Sequence, residues 1–223
     1  MTVGVSENPI LVIVTGPPGS GKTTVARQIS AKAGLPLFTK DDFKVIFYEI
    51  FGWGGREPDR RASAAAYEVM YHLAAVELSC GRSLIVEANF REEATERFRE
   101  LSARHRFHPF QVRCTASREV LTERLRERAD GGVRHPGHAD DLNFEQLDYL
   151  LASGPRLPLE GTFFEIDTTD SEDSDAAVEK VCLRLMNMLD PSEGPETRSP
   201  DPDLDAGSHQ PGRSVSGPLG GAG

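Results

Sequence analysis

The stretch Gly16-Pro17-Pro18-Gly19-Ser20-Gly21-Lys22-Thr23-Thr24 is where residue type and spacing first declare a chemistry. Glycines at 16 and 21, followed at once by Lys and Thr, make a loop whose backbone N–H groups can converge on phosphate oxygens. Lys22 adds a charge that reaches the β- and γ-phosphates, and the Thr23 hydroxyl suits Mg2+. The expected nucleotide-binding set is therefore Gly16, Pro17, Pro18, Gly19, Ser20, Gly21, Lys22, Thr23 and Thr24, with ATP and Mg2+ as cofactors.

Further candidates lie at the ends of other apolar runs. Asp41 follows the run Leu35–Lys40 about twenty residues after Lys22. A carboxylate there can take the proton of an acceptor hydroxyl as it attacks the γ-phosphate. Its neighbour Asp42 is placed to cap the next helix, and adjacency keeps both open as the base. Glu87 ends the apolar part of the run Ser83–Phe90 where a carboxylate would hold Mg2+ through its water, with a structural partner role as the alternative. Asn89 and Arg91 follow it toward the acceptor side.

Arg124 and Arg128 are four apart and share a helix face that borders Leu121 and Leu125. With Arg134 in the next loop they read as a lid closing over the phosphates and stabilising charge that develops during transfer. The alternative is intrahelical pairing with Glu119, Glu123 and Glu127. His135 and His138 have a metal-like spacing, but Pro136 and Gly137 between them preclude a regular helix, so lid residues are expected rather than a zinc site. Trp53, flanked by glycines, is the candidate wall of an acceptor pocket, and Thr168, with Thr169, is expected near the adenine.

The elements that must position these residues follow from periodicity. Short apolar runs at 10–14, 35–40, 83–90, 110–117 and 162–170 read as five strands. Helical patterns lie between them: 24–34, 43–52, 61–80, 91–105, 118–129, 143–154 and 176–189. Strict alternation implies a parallel sheet with helices on both faces, and ligands bind beyond the carboxyl ends of such strands.

Together the loop GPPGSGKTT, the strand end KDDFK, the strand LIVEANF and the arginines of ERLRER resemble the P-loop phosphotransferases related to polynucleotide kinase, zeta toxin and chloramphenicol phosphotransferase, often called AAA-family ATPases. The resemblance covers residues 9–190. It implies a P-loop NTPase fold, three-layer α/β/α with a five-stranded parallel sheet. It also implies a catalytic role for Lys22, Asp41, Arg124 and Arg128, and an acceptor contact for Lys44. Many members carry Asp where this chain has Glu87.

Composition narrows the function. A formal net charge of −10 argues against an extended grip on nucleic acid, which needs clustered cations. The three cysteines, Cys80, Cys114 and Cys182, are widely spaced in apolar contexts and read as buried free thiols of a reducing compartment. With no leader-like segment and no long apolar run, a cytoplasmic location is expected and no membrane partner. Residues 1–190 are expected to fold as one domain with a lid at about 118–141, and 191–223, rich in Pro, Gly, Ser and Asp, to be a disordered tail.

The reading reached from sequence is ATP- and Mg2+-dependent phosphoryl transfer to a hydroxyl of a small molecule: a nucleoside, a sugar or an antibiotic-like alcohol. A kinase acting on a polynucleotide 5′ end or a nucleotide is the second enzyme reading. A nucleotide-dependent ATPase or switch without a small acceptor is the third.

Overall fold

The computed structural model describes residues 7–131, 135 and 154–190. The chain divides into two units, Met1–Pro191 and Ser192–Gly223. The expected helix at 143–153, Arg134, His138 and the tail at 191–223 lie outside the described residues.

Five strands, β1 (Ile10–Thr15), β2 (Leu37–Thr39), β3 (Leu84–Glu87), β4 (His108–Thr115) and β5 (Thr162–Asp167), form one sheet in the order β2-β3-β1-β4-β5. Every pairing is parallel. Six helices are described: α1 (Lys22–Ala33), α2 (Lys40–Phe51), α3 (Arg56–Ser79), α4 (Ala94–Arg104), α5 (Arg118–Gly131) and α6 (Ser171–Leu189). The run Ile10–Val14 is apolar throughout because β1 is central and buried on both faces. Val12 and Val14 join Ile29, Val112, Ile166, Val178 and Leu185 in the core shared with α1 and α6. Leu11 and Ile13 point the other way and pack with Met70, Ala74, Val86 and Phe98 of the α3 and α4 side.

Helix starts differ from the sequence expectation for local reasons. Helix α2 starts at Lys40 rather than Phe43, because the Thr39 hydroxyl caps it by accepting from Asp42 N at 3.2 Å. Asp42 is therefore the capped residue and not the cap. Helix α3 starts at Arg56, five residues early, since Pro58 in a first turn forgoes an N–H that has no intrahelical partner anyway. Cys114 and Cys182 are buried free thiols as expected, but Cys80 is exposed: it caps the end of α3, where the chain turns outward. Among the described residues, no helix is long and apolar enough to cross a membrane.

One ion pair fixes how α2 lies on α3. Lys44 Nζ sits 2.7 Å from Asp59 Oδ1, which also accepts from the Tyr48 hydroxyl, and the ammonium lies 5.3 Å from the Tyr48 ring centroid. Lys44 is 6% exposed and Tyr48 is 1% exposed. Burial, with Lys40 nearby, lowers the Lys44 pKa. Burial alone would raise the Asp59 carboxyl, but the bonds from Lys44 and Tyr48 hold it below its usual 3.8.

Asp59→Asn should cost about 3 kcal/mol in urea unfolding at pH 7, because it strands a buried ammonium. Lys44→Met removes the desolvated charge itself and should cost less than half as much. As a carboxyl whose folded pKa is depressed, Asp59 stabilises above about pH 4, and its contribution disappears as pH falls through the folded value. A variant that loses the same stability at pH 2.5 as at pH 7 would contradict the assignment.

Candidate active site

The loop from Gly16 to Gly21 joins β1 to α1 at the carboxyl edge of the sheet. A Cβ on Gly16 (φ 154°) would lie 2.4 Å from the Cys114 carbonyl oxygen and 2.5 Å from Ser20 Oγ, so only glycine fits there. Gly21, left-handed at φ 69°, is the N-cap of α1. No side chain caps this helix and no acidic residue occupies its first turn, so its positive end faces the loop. This is the arrangement in which a helix N-terminus receives phosphate.

A cavity of about 440 Å³ opens in front of that end. Gly21, Lys22, Thr23 and Thr24 form one wall, and Arg27, one turn further along α1, extends it. Thr39 with Asp41, Asp42 and Val45 of α2 lines the cavity as well. Arg128 of α5 and His135 complete the lining. The cavity therefore brings together Lys22, Thr23, Thr24, Asp41 and Arg128, which lie more than a hundred residues apart at the extremes.

Beneath Lys22 and Thr23 sits Glu87, at 3% exposure. Thr23 Oγ1 donates to Glu87 Oε2 at 3.0 Å. Burial raises the Glu87 pKa above its ordinary 4.5; Lys22 and the Thr23 bond oppose this, and the Asp41 charge reinforces it. A buried carboxylate touching the loop hydroxyl is a pair of hard oxygen donors, and the set fits Mg2+, which takes few protein ligands and keeps phosphate oxygens and waters. Asp41 Oδ1 lies 2.9 Å from Lys40 Nζ, whose ammonium is 5.7 Å from the Tyr67 ring centroid.

The remaining candidates fall around this centre. Arg124 donates through Nη1 to Gly19 O at 3.2 Å and Thr168 Oγ1 at 3.0 Å, and through Nη2 to Thr168 O at 2.7 Å. Its bonds go to the loop and β5 end rather than to the glutamates of α5. Thr168 is 5% exposed and hydrogen-bonded on all sides by protein, which leaves it behind the loop. Lys44 is neither acceptor-facing nor solvated, since Asp59 holds it inside. Asn89 accepts at its carbonyl from the Tyr67 hydroxyl at 3.0 Å, and its Oδ1 is buried without a hydrogen-bond partner. Arg91 is exposed just beyond. Trp53 is 53% exposed and meets the His135 ring edge-on at 5.7 Å. His135 stacks on Tyr48 at 5.2 Å, and its Nε2 lies 2.9 Å from Glu49 Oε1.

The AAA_33 family model, described as an AAA domain, matches residues 11–157. The chain belongs to this AAA domain family. A crystal structure from Chloroflexus aurantiacus j-10-fl, provisionally described as a kinase, is 43% identical, covers 78% of this chain and 97% of its own, and superposes with a TM-score of 0.73. Kti12 from Chaetomium thermophilum, solved with ADP-AlF3, is 18% identical with a TM-score of 0.56, covering 81% of this chain and 99% of its own. A sugar kinase from Janibacter sp. HTCC2649 is 20% identical with a TM-score of 0.52, covering 81% and 94%. The last two show the fold alone, and the fold is that of P-loop kinases. A curated relative, the ATP-dependent zinc metalloprotease FtsH of Rhodothermus marinus, is 32% identical over 88 residues. The chain spans 13% of that relative's length and 9% of a second FtsH's.

Within this AAA_33 domain, sequence reasoning passed over Arg27, Lys40, Val45 and Asp59. Helical spacing could have found two of them: Arg27 is four residues after Thr23, and Val45 four after Asp41. Lys40 and Asp59 carry no such signal, because their roles depend on how α2 meets β3 and α3.

Glu87→Gln should stabilise the metal-free protein in EDTA at pH 7–8, since it removes a carboxylate that folding desolvates. The sign follows from a raised folded pKa: the native state holds its proton after the unfolded chain has released it, so ionisation costs stability as pH rises above about 4.5. The advantage of Gln should vanish in thermal melts below about pH 4. A variant destabilised at pH 8, or a gain that persists at pH 3, would show that burial does not penalise this carboxylate.

Proposed function

We propose that this domain transfers the γ-phosphoryl group of ATP, with Mg2+, to a hydroxyl of a small molecule such as a nucleoside, a sugar or an antibiotic-like alcohol. The observation that carries the reading is one cavity of about 440 Å³ lined together by the N-terminal end of α1, Lys22, Arg128 and the α2 carboxylates. A hydrolytic site needs only room for water beside the γ-phosphate. Here the wall opposite the phosphates belongs to a separate helix, which carries an acid on its first turn and an apolar side chain, Val45, on its second.

In this mechanism the loop N–H groups and the end of α1 hold the β- and γ-phosphates, and Lys22 offsets their charge. Thr23 and Glu87 would hold Mg2+, which when bound screens the phosphate oxygens as charge builds on them. Asp41 accepts the proton of the acceptor hydroxyl while the oxygen forms its bond to the γ-phosphorus. The bond from that phosphorus to the bridging oxygen breaks, and ADP leaves with the electron pair. Lys40, 2.9 Å from Asp41, orients the carboxylate. Arg128 faces the transferring group from α5 and acts where negative charge accumulates. Trp53, Asn89 and Arg91 border the acceptor side. The formal charge of −10 favours a small acceptor over a polynucleotide, and a cytoplasmic site of action accords with a substrate of that kind.

One observation favours the switch reading: Ile46, Ile50, Phe51 and Trp53 are large apolar residues, 51–78% exposed, clustered beside the cavity where a protein partner could read the nucleotide state.

The two separate by experiment. A screen with γ-labelled ATP across nucleosides, sugars, antibiotics and oligonucleotide 5′ ends should label one class. Asp41→Asn should then bind ATP normally and lose about 10²–10⁴ in transfer, whereas Asp42→Asn should retain most activity. Lys22→Ala should weaken ATP binding, and Arg128→Ala should lower turnover more than ATP affinity. Undiminished phosphate release from Asp41→Asn with no acceptor labelled would overturn the kinase reading.

A further inference from the structure

We propose that Arg124 is a positioning residue: with Thr168 it clamps the phosphate loop from behind in its phosphate-receiving shape, instead of acting on the transferred phosphoryl group. The inference rests on the phosphate-loop reading but not on the existence of an acceptor.

The guanidinium is committed to protein oxygens on two sides, Gly19 O at 3.2 Å and the hydroxyl and carbonyl of Thr168 at 3.0 and 2.7 Å. Such charge-assisted bonds are the stronger kind, and the planar fork fixes direction as well as distance. Thr168 continues the clamp. Its Oγ1 lies 3.1 Å from Ser20 O and 3.0 Å from Thr115 O, and its N–H donates to Thr115 O at 2.8 Å. A hydroxyl carries one proton, so it donates to one of these carbonyls while accepting from Arg124. Leu121 and Leu125, each 4% exposed, flank Arg124 on α5. They close on Gly19: a Cβ there would lie 3.4 Å from Leu121 O and 3.6 Å from Leu125 Cγ.

The geometry of the peptide gives the clamp its consequence. In a trans peptide the carbonyl and the following N–H point in opposite directions. Drawing Gly19 O toward Arg124 and Ser20 O toward Thr168 turns the N–H groups of Ser20 and Gly21 to the other side of the loop. On that side Ser20 N donates to Pro17 O at 3.2 Å. Without the clamp these two carbonyls could rotate inward and present negative ends to a phosphate. Arg124 therefore raises the fraction of molecules whose loop is ready, and apparent affinity scales with that fraction.

The test compares ATP with inorganic tripolyphosphate, which has the phosphates and no base, by calorimetry on the full chain. Arg124→Ala should weaken both by about tenfold and to the same extent. Thr168→Val, which alters no charge, should weaken both in the same direction, while Thr168→Ser should bind as wild type. The double variant Arg124→Ala/Thr168→Val should lose less than the product of the single losses, as expected for one network. ATP weakened with tripolyphosphate unaffected would place Arg124 on the base and overturn the clamp. Both affinities unchanged with lower hydrolysis per bound ATP would place it on the reacting phosphoryl and overturn it too. A loss in Arg124→Ala that Thr168→Val does not share would reduce the effect to long-range attraction. If Arg124→Ala does not fold, the Thr168 pair alone decides. Failure of wild type to bind either ligand would overturn the phosphate-loop reading itself, with the clamp.

Discussion

The site depends first on how closely three backbones approach at the carboxyl edge of the sheet. Gly16 lies against the Cys114 carbonyl with no room for a Cβ, and a Cβ on Gly154 would come within 2.5 Å of the Gly16 backbone. Arg113 holds the third segment of this stack by donating from Nε to Gly154 O at 3.0 Å. Because no side chain separates these segments, the start of the phosphate loop is set by the sheet rather than by rotamers. Cys114, sealed beneath the contact, has its thiol pushed up to about 12 by burial, which makes it an inert filler and not a nucleophile. Glycine loses the most chain entropy on folding, so its use here exchanges stability for a fixed loop.

Electrostatics at the same edge run against ordinary packing rules. A carboxylate at 3% exposure is rare unless paired, and Glu87 accepts from the Thr23 hydroxyl while the Lys22 charge favours its ionised form. Violations of this kind concentrate where a ligand completes the site. A phosphate group with its cation would bring opposite charge to Lys22 and Glu87 together.

The strands and helices were legible because two-sided burial writes continuous apolar runs and amphipathic helices write a period of 3.6. The phosphate loop was legible because its chemistry is local: backbone N–H groups, one lysine and one hydroxyl lie within nine residues. The start of α2 was also written locally, as Thr39 three residues before Asp42, but the aromatic run from Phe43 drew attention past it. Arg124 and Lys44 were misjudged for a different reason. Arg124 was recognised as a cation on a face bordering the core and Lys44 as an acceptor contact, yet their partners, Gly19 and Thr168 for one and Asp59 for the other, are fixed by how separate helices dock. A periodic pattern says which side a residue faces and nothing about which acceptor waits there.

That distinction separates the two halves of the cavity. The phosphate half is built from backbone contacts and glycines, so changes in it would disturb the sheet. The opposite half is carried by α2, held to α3 through Lys44, Asp59 and Tyr48, with His135 stacked on the same tyrosine. These are side-chain contacts at the edge of the fold, and substitutions among them reshape the wall facing the phosphates while leaving β1, β4 and the loop untouched. A kinase organised this way would keep its donor site constant and adjust its acceptor site independently. If the domain transfers phosphoryl groups as proposed, the features that would identify the acceptor therefore reside in α2 and its contacts with α3 rather than in the phosphate loop.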